Sequence, residues 1–321
     1  MADQIGESLL TPVAFFIFNR PEATNLVFSA IREARPQILF LICDGPRQEN
    51  FSDVRKVELV REIVSNVDWD CKVFTNYSDE NLGCKTRVST GIDWVFSIAQ
   101  EAIFLEDDCL PSQSFFRFCA TLLDFYRENP RVGVISGNTY NLKKDFTTDS
   151  YLFSNVPNIW GWATWKDRWD GNYDADIAAW PKLRQTQILK EKFNSREQAK
   201  FWAKQFDNVH AGLIDTWDYQ LVLSSIQNDW LSIIPARNLI SNIGFDVDAT
   251  HTTSPSVLGF TNSYEIEFPL KHPGDLNPNF VYDSWYFKNF MKLSNCRIYA
   301  RKIKIILGNS VIGKLLPKFN L

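Results

Sequence analysis

Three consecutive acidic residues, Glu106, Asp107 and Asp108, follow an apolar run at residues 102–105. Carboxylate oxygens are ligands that Mg²⁺ and Mn²⁺ prefer, and a diphosphate can complete the coordination shell. Arg20 follows another apolar run, and its guanidinium fork fits a phosphate group or a pyrimidine carbonyl. These residues predict a site for a divalent cation and a nucleoside diphosphate. Two structural alternatives stay open, since acids also end strands as turn formers and an Arg also forms surface ion pairs.

The elements that must position these residues alternate between apolar runs and helical patterns through the first half of the chain. Strands are predicted at residues 13–18, 38–43, 72–75, 102–105 and 132–136. Helices between them make β-α-β units, which predict a parallel sheet that binds ligands at the carboxyl ends of its strands. Polar residues follow four of the strands: Asn19 with Arg20, Asp44, Asn76, and Glu106 to Asp108. The sequence therefore predicts one polar site at this edge.

Four segments of the first half resemble a known family. They are FIFNRPEATNLVFSAI (16–31), ICDGP (42–46), NLGCKTRVSTGIDWVF (81–96) and FLEDDCLPSQSFF (104–116). Together they resemble the nucleotide-binding half of GT-A glycosyltransferases, and they are similar to N-acetylglucosaminyltransferase I and to bacterial surface-polysaccharide transferases. The resemblance covers about residues 11–140. It implies an α/β GT-A fold, with a Rossmann-like, mostly parallel sheet flanked by helices.

The same resemblance implies roles for individual side chains around a nucleotide-sugar donor. The implied donor-binding residues are Arg20, Asp44, Lys85, Arg87, Glu106 and Asp107. Asp108 is the implied ligand of Mn²⁺ or Mg²⁺. Because Asp44 would accept the imide N–H of uracil, a UDP-sugar is the favoured donor.

The second half resembles the acceptor side of these enzymes more weakly. The implied acceptor-binding residues are Trp160, Gly161 and Trp162, for which an aromatic core is the alternative. Asp215 and Asp218 resemble the acidic motif that supplies the general base in inverting members. That motif usually has adjacent acids, and here Thr216 follows Asp215, so either residue could be the base and Asp215 could instead cap a helix.

A polar, Gly-containing segment at residues 242–252 resembles the loop that closes over the donor diphosphate. In that resemblance His251 reaches the metal or a phosphate and is a second metal-binding candidate beside Asp108. A structural role for this histidine is the alternative.

Charge and length indicate the organisation of the chain. We predict a nucleotide-sugar-binding half (1–140), a fused acceptor and catalytic half (141–280) and a basic, apolar helical segment (281–321). From residue 284 onward there are eight basic residues and no acidic ones; subtracting them from the net charge of −4 leaves −12 for residues 1–283. An acidic body argues against nucleic-acid binding. The tail is equally consistent with contact to an anionic membrane and with a packed terminal helix.

The predicted function is metal-dependent, inverting transfer of a hexosyl or N-acetylhexosaminyl group to a glycan or lipid-linked acceptor, as in polysaccharide biosynthesis. Six cysteines without a CxxC pair, and no signal or membrane-spanning segment, predict reduced thiols and a cytoplasmic protein, peripheral at the membrane if the tail docks there. Two alternatives are a sugar nucleotidyltransferase and a non-catalytic sugar-nucleotide or glycan-binding protein. Against the first, no Gly-rich loop follows residues 13–18.

Overall fold

A computed structural model describes residues 8–140, 145–244 and 262–291 of the 321-residue chain. The strands in these residues are β1 Val13–Ile17, β2 Ile38–Cys43, β3 Lys72–Tyr77, β4 Glu101–Glu106, β5 Cys109–Pro111, β6 Val132–Ser136, β7 Tyr151–Ser154, β8 Trp162–Trp165, β9 Leu231–Pro235 and β10 Ile240–Asn242. The helices are α1 Pro21–Ala34, α2 Phe51–Ser65, α3 Gly83–Phe96, α4 Gln113–Phe125, α5 Lys166–Trp169, α6 Trp180–Leu183, α7 Ile188–Lys192, α8 Arg196–His210, α9 Asp218–Gln227 and α10 Phe280–Tyr286, with a π-helical turn at Phe287–Met291.

The described residues contain one eight-stranded sheet in the order β3-β2-β1-β4-β8-β6-β9-β7, and a ribbon of β10 with β5. Strands β1 to β4 pair in parallel, and β6 pairs in parallel with β9. Strand β8 runs antiparallel between β4 and β6, and β7 runs antiparallel beside β9. The prediction of an α/β fold with a mostly parallel sheet flanked by helices is confirmed.

Helices cover both faces of this sheet because its central strands are apolar on both sides. All five residues of β1 are buried, as expected for a covered parallel strand. Apolar residues of α1, α2 and α4 form one buried cluster with one face of the sheet. Residues of α3 and α9 form a second cluster on the other face. The carboxyl ends of β1, β2 and β4 therefore open between two helical layers.

The strands predicted above all lie in the first half, and the structure adds strands β7 to β10 in the second half. Strands β7 and β8 have four residues each, and β8 begins at Trp162. Both are short and buried throughout, so they lack the alternation that marks a half-buried strand. Two predicted strand ends also shift. Asn76 lies inside β3 and Glu106 is the last residue of β4, so neither follows its strand.

The described residues through Asn279 form one compact unit, and a second unit begins at Phe280. Within the second unit the ring of Tyr286 stacks on those of Tyr282 and Phe290, at centroid distances of 6.0 and 5.5 Å. No helix among the described residues is both long enough and apolar enough to cross a membrane. The five cysteines of this part of the chain are free thiols, and Cys296 lies outside it.

Candidate functional site

The turn after β4 brings two carboxylates against the loop after β1. Asp107 is buried; its Oδ2 accepts the backbone N–H of Phe18 (3.1 Å) and its Oδ1 accepts Nη1 of Arg20 (3.0 Å). The same Nη1 donates to Oδ2 of Asp108 at 2.8 Å. One guanidinium thus bridges two adjacent carboxylates.

Local sequence explains why Arg20 stands there. Pro21 occupies the first position of α1, where its missing N–H costs nothing and its fixed φ suits the helix. The loop from β1 to α1 therefore has only three residues, and Arg20 is held close to the carboxyl end of β4, which pairs with β1. Burial alone lowers the pKa of Arg20, but the charges of Asp107 and Asp108 outweigh it and raise that pKa above its ordinary value.

The cluster has more negative charge than Arg20 can neutralise. Burial raises the pKa of Glu106, and repulsion from Asp108 and Asp107 raises it further. Burial also raises the pKa of Asp107, although the adjacent Arg20 opposes this shift. Raised carboxyl pKa values with a specific charged neighbour mark candidate functional sites.

The ribbon of β5 and β10 covers Asp108 from a second direction. Strand β5 starts directly after Asp108, and Asn242 of β10 pairs with Cys109. The N–H of Ile243 donates to the carbonyl of Asp108 at 2.8 Å. A Cβ placed on the next residue, Gly244, would lie 2.7 Å from the Cβ of Asp108, which is closer than real contacts allow. Only glycine fits beside this carboxylate.

Cys84, in the first turn of α3, shows that distant parts of the chain meet here. Burial is the largest cause of its raised pKa. Four carboxylates raise this pKa further: Glu106, Asp218, Asp215 and Asp108. Their charges act on one thiol, so the structure brings the predicted base candidates and the β4 acids to one region.

The two base candidates differ in their surroundings. Asp218 is the first residue of α9, is half-buried, and its Oδ1 accepts the hydroxyl of Thr216. Asp215 is exposed, and its Oδ2 lies 3.6 Å from the position that a Cβ on Gly83 would occupy. Asp218 also contributes to the raised pKa of Glu106. Thr216, which separates the two acids, therefore orients Asp218.

The carboxylate of Asp44, an implied donor-binding group, accepts four hydrogen bonds from protein groups. Its Oδ1 accepts the N–H groups of Gly45 and Leu82, both at 2.9 Å. Its Oδ2 accepts the side chain of Asn81 (3.0 Å) and the N–H of Gly83 (3.1 Å). A carboxylate has about four acceptor positions. All four are occupied in this structure, three by residues 81–83 at the start of α3 and one by Gly45, so none faces the N–H of a nucleobase.

Other polar residues of the predicted site also contact neighbouring elements. Asn19 donates to the buried carboxylate of Asp53 at 2.8 Å. Arg87 is buried and donates to the backbone carbonyl and to Oδ1 of Asn76. Lys85 pairs with the exposed Asp176 at 2.8 Å. In this structure these side chains contact protein groups.

The three predicted acceptor residues lie where β8 begins. Trp162 is 2% exposed and stacks on Phe104 and Trp217 at centroid distances of 4.7 and 5.6 Å. Gly161 has φ +61, and a Cβ there would meet Ile240 at 2.5 Å, so backbone conformation and packing both require glycine. Trp162 is a core residue here, as the aromatic-core alternative expected. Trp160 is half-buried and remains a candidate for acceptor contact.

The side chains at this edge of the sheet determine whether a divalent cation could bind there. Among the described residues, no three His, Cys, Asp or Glu side chains are arranged to hold a metal ion. Mg²⁺, however, is usually bound through one or two carboxylates together with substrate phosphates. The carboxylate of Asp108 and the excess negative charge of the cluster fit such a shared ion. His251, the other predicted ligand, lies outside the described residues.

Sequence analysis missed three contributors to this region. Cys84 and Asn81 belong to a segment in which the resemblance implied roles only for Lys85 and Arg87. The Asn81-Leu82-Gly83 run at the start of a helix was the available signal, since a helix N-terminus needs partners for its free N–H groups. Gly244 belongs to the polar segment at residues 242–252, and nothing in the sequence places it beside Asp108.

The chain matches no protein-family model and no curated protein. Several solved structures are similar in fold. One is the mannosyltransferase PcManGT from Pyrobaculum calidifontis in complex with GDP-Man and Mn²⁺, at 11% identity over 70% of this chain and 72% of that one, with a TM-score of 0.37. Another is a UDP-glucose pyrophosphorylase complexed with UDP-glucose, at 9% identity over 70% and 90% of the two chains, with a TM-score of 0.33.

A third is 4-diphosphocytidyl-2C-methyl-D-erythritol synthase from Anaerococcus prevotii, at 8% identity over 62% of this chain and 84% of that one, with a TM-score of 0.32. Likenesses at this level do not distinguish transfer of a sugar from transfer of a nucleotide.

Proposed function

We propose that this protein is a glycosyltransferase that moves a sugar from a nucleoside-diphosphate donor to a hydroxyl group of a glycan or lipid-linked acceptor. One observation carries the proposal: at the carboxyl edge of the sheet Arg20 bridges the adjacent carboxylates of Asp107 and Asp108, and the charge of Asp218, at the start of α9, contributes to the raised pKa of Glu106 beside them. Donor binding needs acids or cations at this edge, and the acceptor hydroxyl needs a base there. Both are present.

The donor diphosphate lies, in this proposal, beside Arg20 and the β4 acids. A guanidinium forms strong, charge-assisted bonds to phosphate oxygens, and Arg20 is held at the site by Asp107 and Asp108. Lys85 and Arg87 would help only by exchanging the protein partners that they now contact. The proposal leaves the nucleobase open, because Asp44, the reason for favouring uracil, has its acceptor positions occupied.

Asp108 would hold a Mn²⁺ or Mg²⁺ ion together with the diphosphate. When bound, such an ion neutralises charge on the departing nucleoside diphosphate, a Lewis-acid effect of several kcal/mol. The chain itself holds Asp108 in place through Arg20 and through the backbone of Ile243. It also keeps Gly244 beside the carboxylate, where a Cβ would collide with the Asp108 side chain.

A carboxylate removes the proton of the acceptor hydroxyl as that oxygen attacks the anomeric carbon. Asp218 is the proposed base, because the Thr216 hydroxyl orients it and its charge reaches Glu106. Asp215 is the alternative. Attack on the side opposite the leaving diphosphate inverts the anomeric centre, and retention of configuration in the product, measured by NMR, would rule out this single displacement.

The first test is calorimetric titration of UDP, GDP and CDP, with and without Mn²⁺, into wild type and the Asp108→Ala variant. We expect one nucleotide to bind in a Mn²⁺-dependent way, and the variant to lose this dependence. Asp124→Ala, which removes an exposed carboxylate on α4, is the matched control and should bind as wild type does. Binding of no nucleotide by wild type would contradict the proposal.

Two activity assays separate the alternatives. Release of pyrophosphate from a nucleoside triphosphate and a sugar 1-phosphate would identify a nucleotidyltransferase. Nucleotide binding without transfer or hydrolysis of any nucleotide-sugar would identify a binding protein.

Membrane contact through residues 281–321 is a separate proposal, supported only by their basic and apolar composition. Deleting residues 297–321 should abolish sedimentation with vesicles containing anionic phospholipid. Unchanged sedimentation would remove the idea.

A further inference from the structure

Asn138 lies two residues beyond the carboxyl end of β6 and is only 1% exposed. Its backbone carbonyl accepts a hydrogen bond from Asn158 at 3.0 Å. Neither Oδ1 nor Nδ2 of its side chain has a partner in the part of the chain that the structure describes. Burying an amide with both donor and acceptor unpaired is unfavourable, and natural proteins rarely do so. This carboxamide therefore calls for an explanation.

The position of Asn138 in the sheet connects it to the acidic cluster. Strands β4 and β6 run in the same direction, and β8 separates them. Neighbouring strands lie about 4.8 Å apart, so the carboxyl end of β6 is about 10 Å along the edge from that of β4. One bound acceptor could span the edge from the β4 acids to Asn138.

Aromatic side chains lie next to this amide in the sequence and in space. The rings of Tyr140 and Trp160 pack edge to face with centroids 5.0 Å apart. The bond from Asn158 to the Asn138 carbonyl holds residues 158–160 alongside. Apolar rings with a few placed polar groups are the usual lining of a small-molecule site.

We propose that the Asn138 carboxamide binds the acceptor and selects a pyranoside with two adjacent free hydroxyls. Its Nδ2 would donate to one hydroxyl oxygen while its Oδ1 accepts from the neighbouring hydroxyl. A site built in this way discriminates strongly against an analogue that lacks one hydroxyl, because the protein amide is then left unpaired. The inference rests on the proposed function and names the substrate class of its acceptor side.

Thermal unfolding of two leucine variants tests whether Asn138 is kept for a ligand or for the fold. Asn238 is the matched control. It is 2% exposed, its Oδ1 accepts the N–H of Thr139 (3.1 Å), and its Nδ2 donates to the carbonyls of Ile240 (2.6 Å) and Asn262 (3.1 Å). Asn238→Leu should lower the melting temperature, because it leaves these groups unpaired. Asn138→Leu should leave it unchanged or raise it. Equal losses in both variants would overturn the proposal.

Binding supplies the second readout. The methyl glycosides of glucose, galactose and mannose are titrated, each beside its 3-deoxy analogue, in which no two adjacent hydroxyls remain, and binding is followed by saturation-transfer NMR. We expect wild type to bind at least one of the three glycosides, its deoxy analogue to bind about tenfold more weakly, and Asn138→Leu to weaken binding by a similar factor. Absence of glycoside binding, or identical binding by Asn138→Leu, would overturn the assignment.

These outcomes are separable from those of the nucleotide titration. Nucleotide binding with no effect of Asn138→Leu on glycosides removes this inference and leaves the transferase proposal in place. Glycoside binding that depends on Asn138, without binding of any nucleotide, removes the transferase proposal and leaves the assignment of Asn138 to a glycoside in place.

Discussion

At the scale of single residues, Asp44 and Asp108 show how similar side chains at neighbouring strand ends acquire different roles. Asp44 is enclosed by four donors from residues 45 and 81–83, so its carboxylate fixes backbone. Asp108 lies in a turn beside Gly244 and has one guanidinium bond, so its carboxylate remains suited to a cation. The residue type is shared, and the number of hydrogen-bond donors around the carboxylate differs.

The first prediction concerns the base. Asp218→Asn should lower kcat by about 10²- to 10⁴-fold, the usual contribution of a positioned base, with little change in the KM of the donor. Asp215→Asn should cost much less. Steady-state kinetics of both variants with the same nucleotide-sugar make the comparison. An active Asp218→Asn beside an inactive Asp215→Asn would move the assignment to Asp215.

The second prediction concerns Asp53, which is buried and accepts bonds from Asn19 (2.8 Å) and from Nε and Nη2 of Arg47 (2.5 and 2.9 Å). Burial raises the pKa of Asp53, but these bonds outweigh it, and the net pKa is lowered. Asp53→Asn should lower the free energy of unfolding at pH 7 by about 1–3 kcal/mol, since it weakens a buried set of hydrogen bonds.

The sign of its pH dependence follows from the lowered pKa. The ionised carboxylate stabilises the folded state fully above the unfolded-state pKa of about 3.9, and this contribution is lost as pH falls through the lower folded-state pKa. Urea unfolding should therefore show a smaller difference between wild type and Asp53→Asn at pH 3 than at pH 7. Asp124→Asn is the exposed control. A difference that grows at pH 3 would contradict the assignment.

At the scale of elements, the ribbon of β5 and β10 links the donor edge to the second half of the chain. Strand β5 continues from the β4 turn, and β10 brings Gly244 from more than 130 residues away in sequence against Asp108. A short antiparallel ribbon can do this because its register, Asn242 opposite Cys109, fixes the residues that follow.

The third prediction tests this ribbon. Gly244→Ala should weaken Mn²⁺-dependent nucleotide binding about tenfold, equivalent to about 1.4 kcal/mol, because the added methyl group displaces the Asp108 carboxylate. Calorimetry with Mn²⁺ gives the affinity. Gly274→Ala, where a Cβ would meet nothing within 4 Å, should bind as wild type does. Unchanged binding by Gly244→Ala would show that Asp108 adapts or takes no part.

At the scale of the whole molecule, β8 joins the two predicted halves into one sheet. It belongs to the second half in sequence, yet it pairs with β4 on one side and β6 on the other. Its Trp162 stacks on Phe104 of β4 at a centroid distance of 4.7 Å. Because these strands share hydrogen bonds and core, neither half retains its packing without the other.

The fourth prediction is that the body unfolds as one cooperative unit. Hydrogen exchange measured by mass spectrometry in increasing urea should show peptides of β4, β6 and β9 losing protection at the same denaturant concentration. Protection of β4 that persists after β6 and β9 have opened would show that the halves are separate folding units.

The sequence by itself determined the α/β class and most strands of the first half. Continuous apolar runs and helical periodicity are local signals, and each ends close to where its element ends. It also placed Arg20 and the β4 acids at one edge, because parallel strands bring their carboxyl ends together.

Only the tertiary structure decided which of these polar residues remain open to a ligand. The donors that enclose Asp44, the stacking that buries Trp162 and the approach of Gly244 to Asp108 depend on contacts between segments far apart in the chain. The insertion of β8 between β4 and β6 also depends on contacts between segments far apart in the chain. Residue types and spacing do not predict such contacts, because pairing register and packing are fixed only when the whole sheet forms.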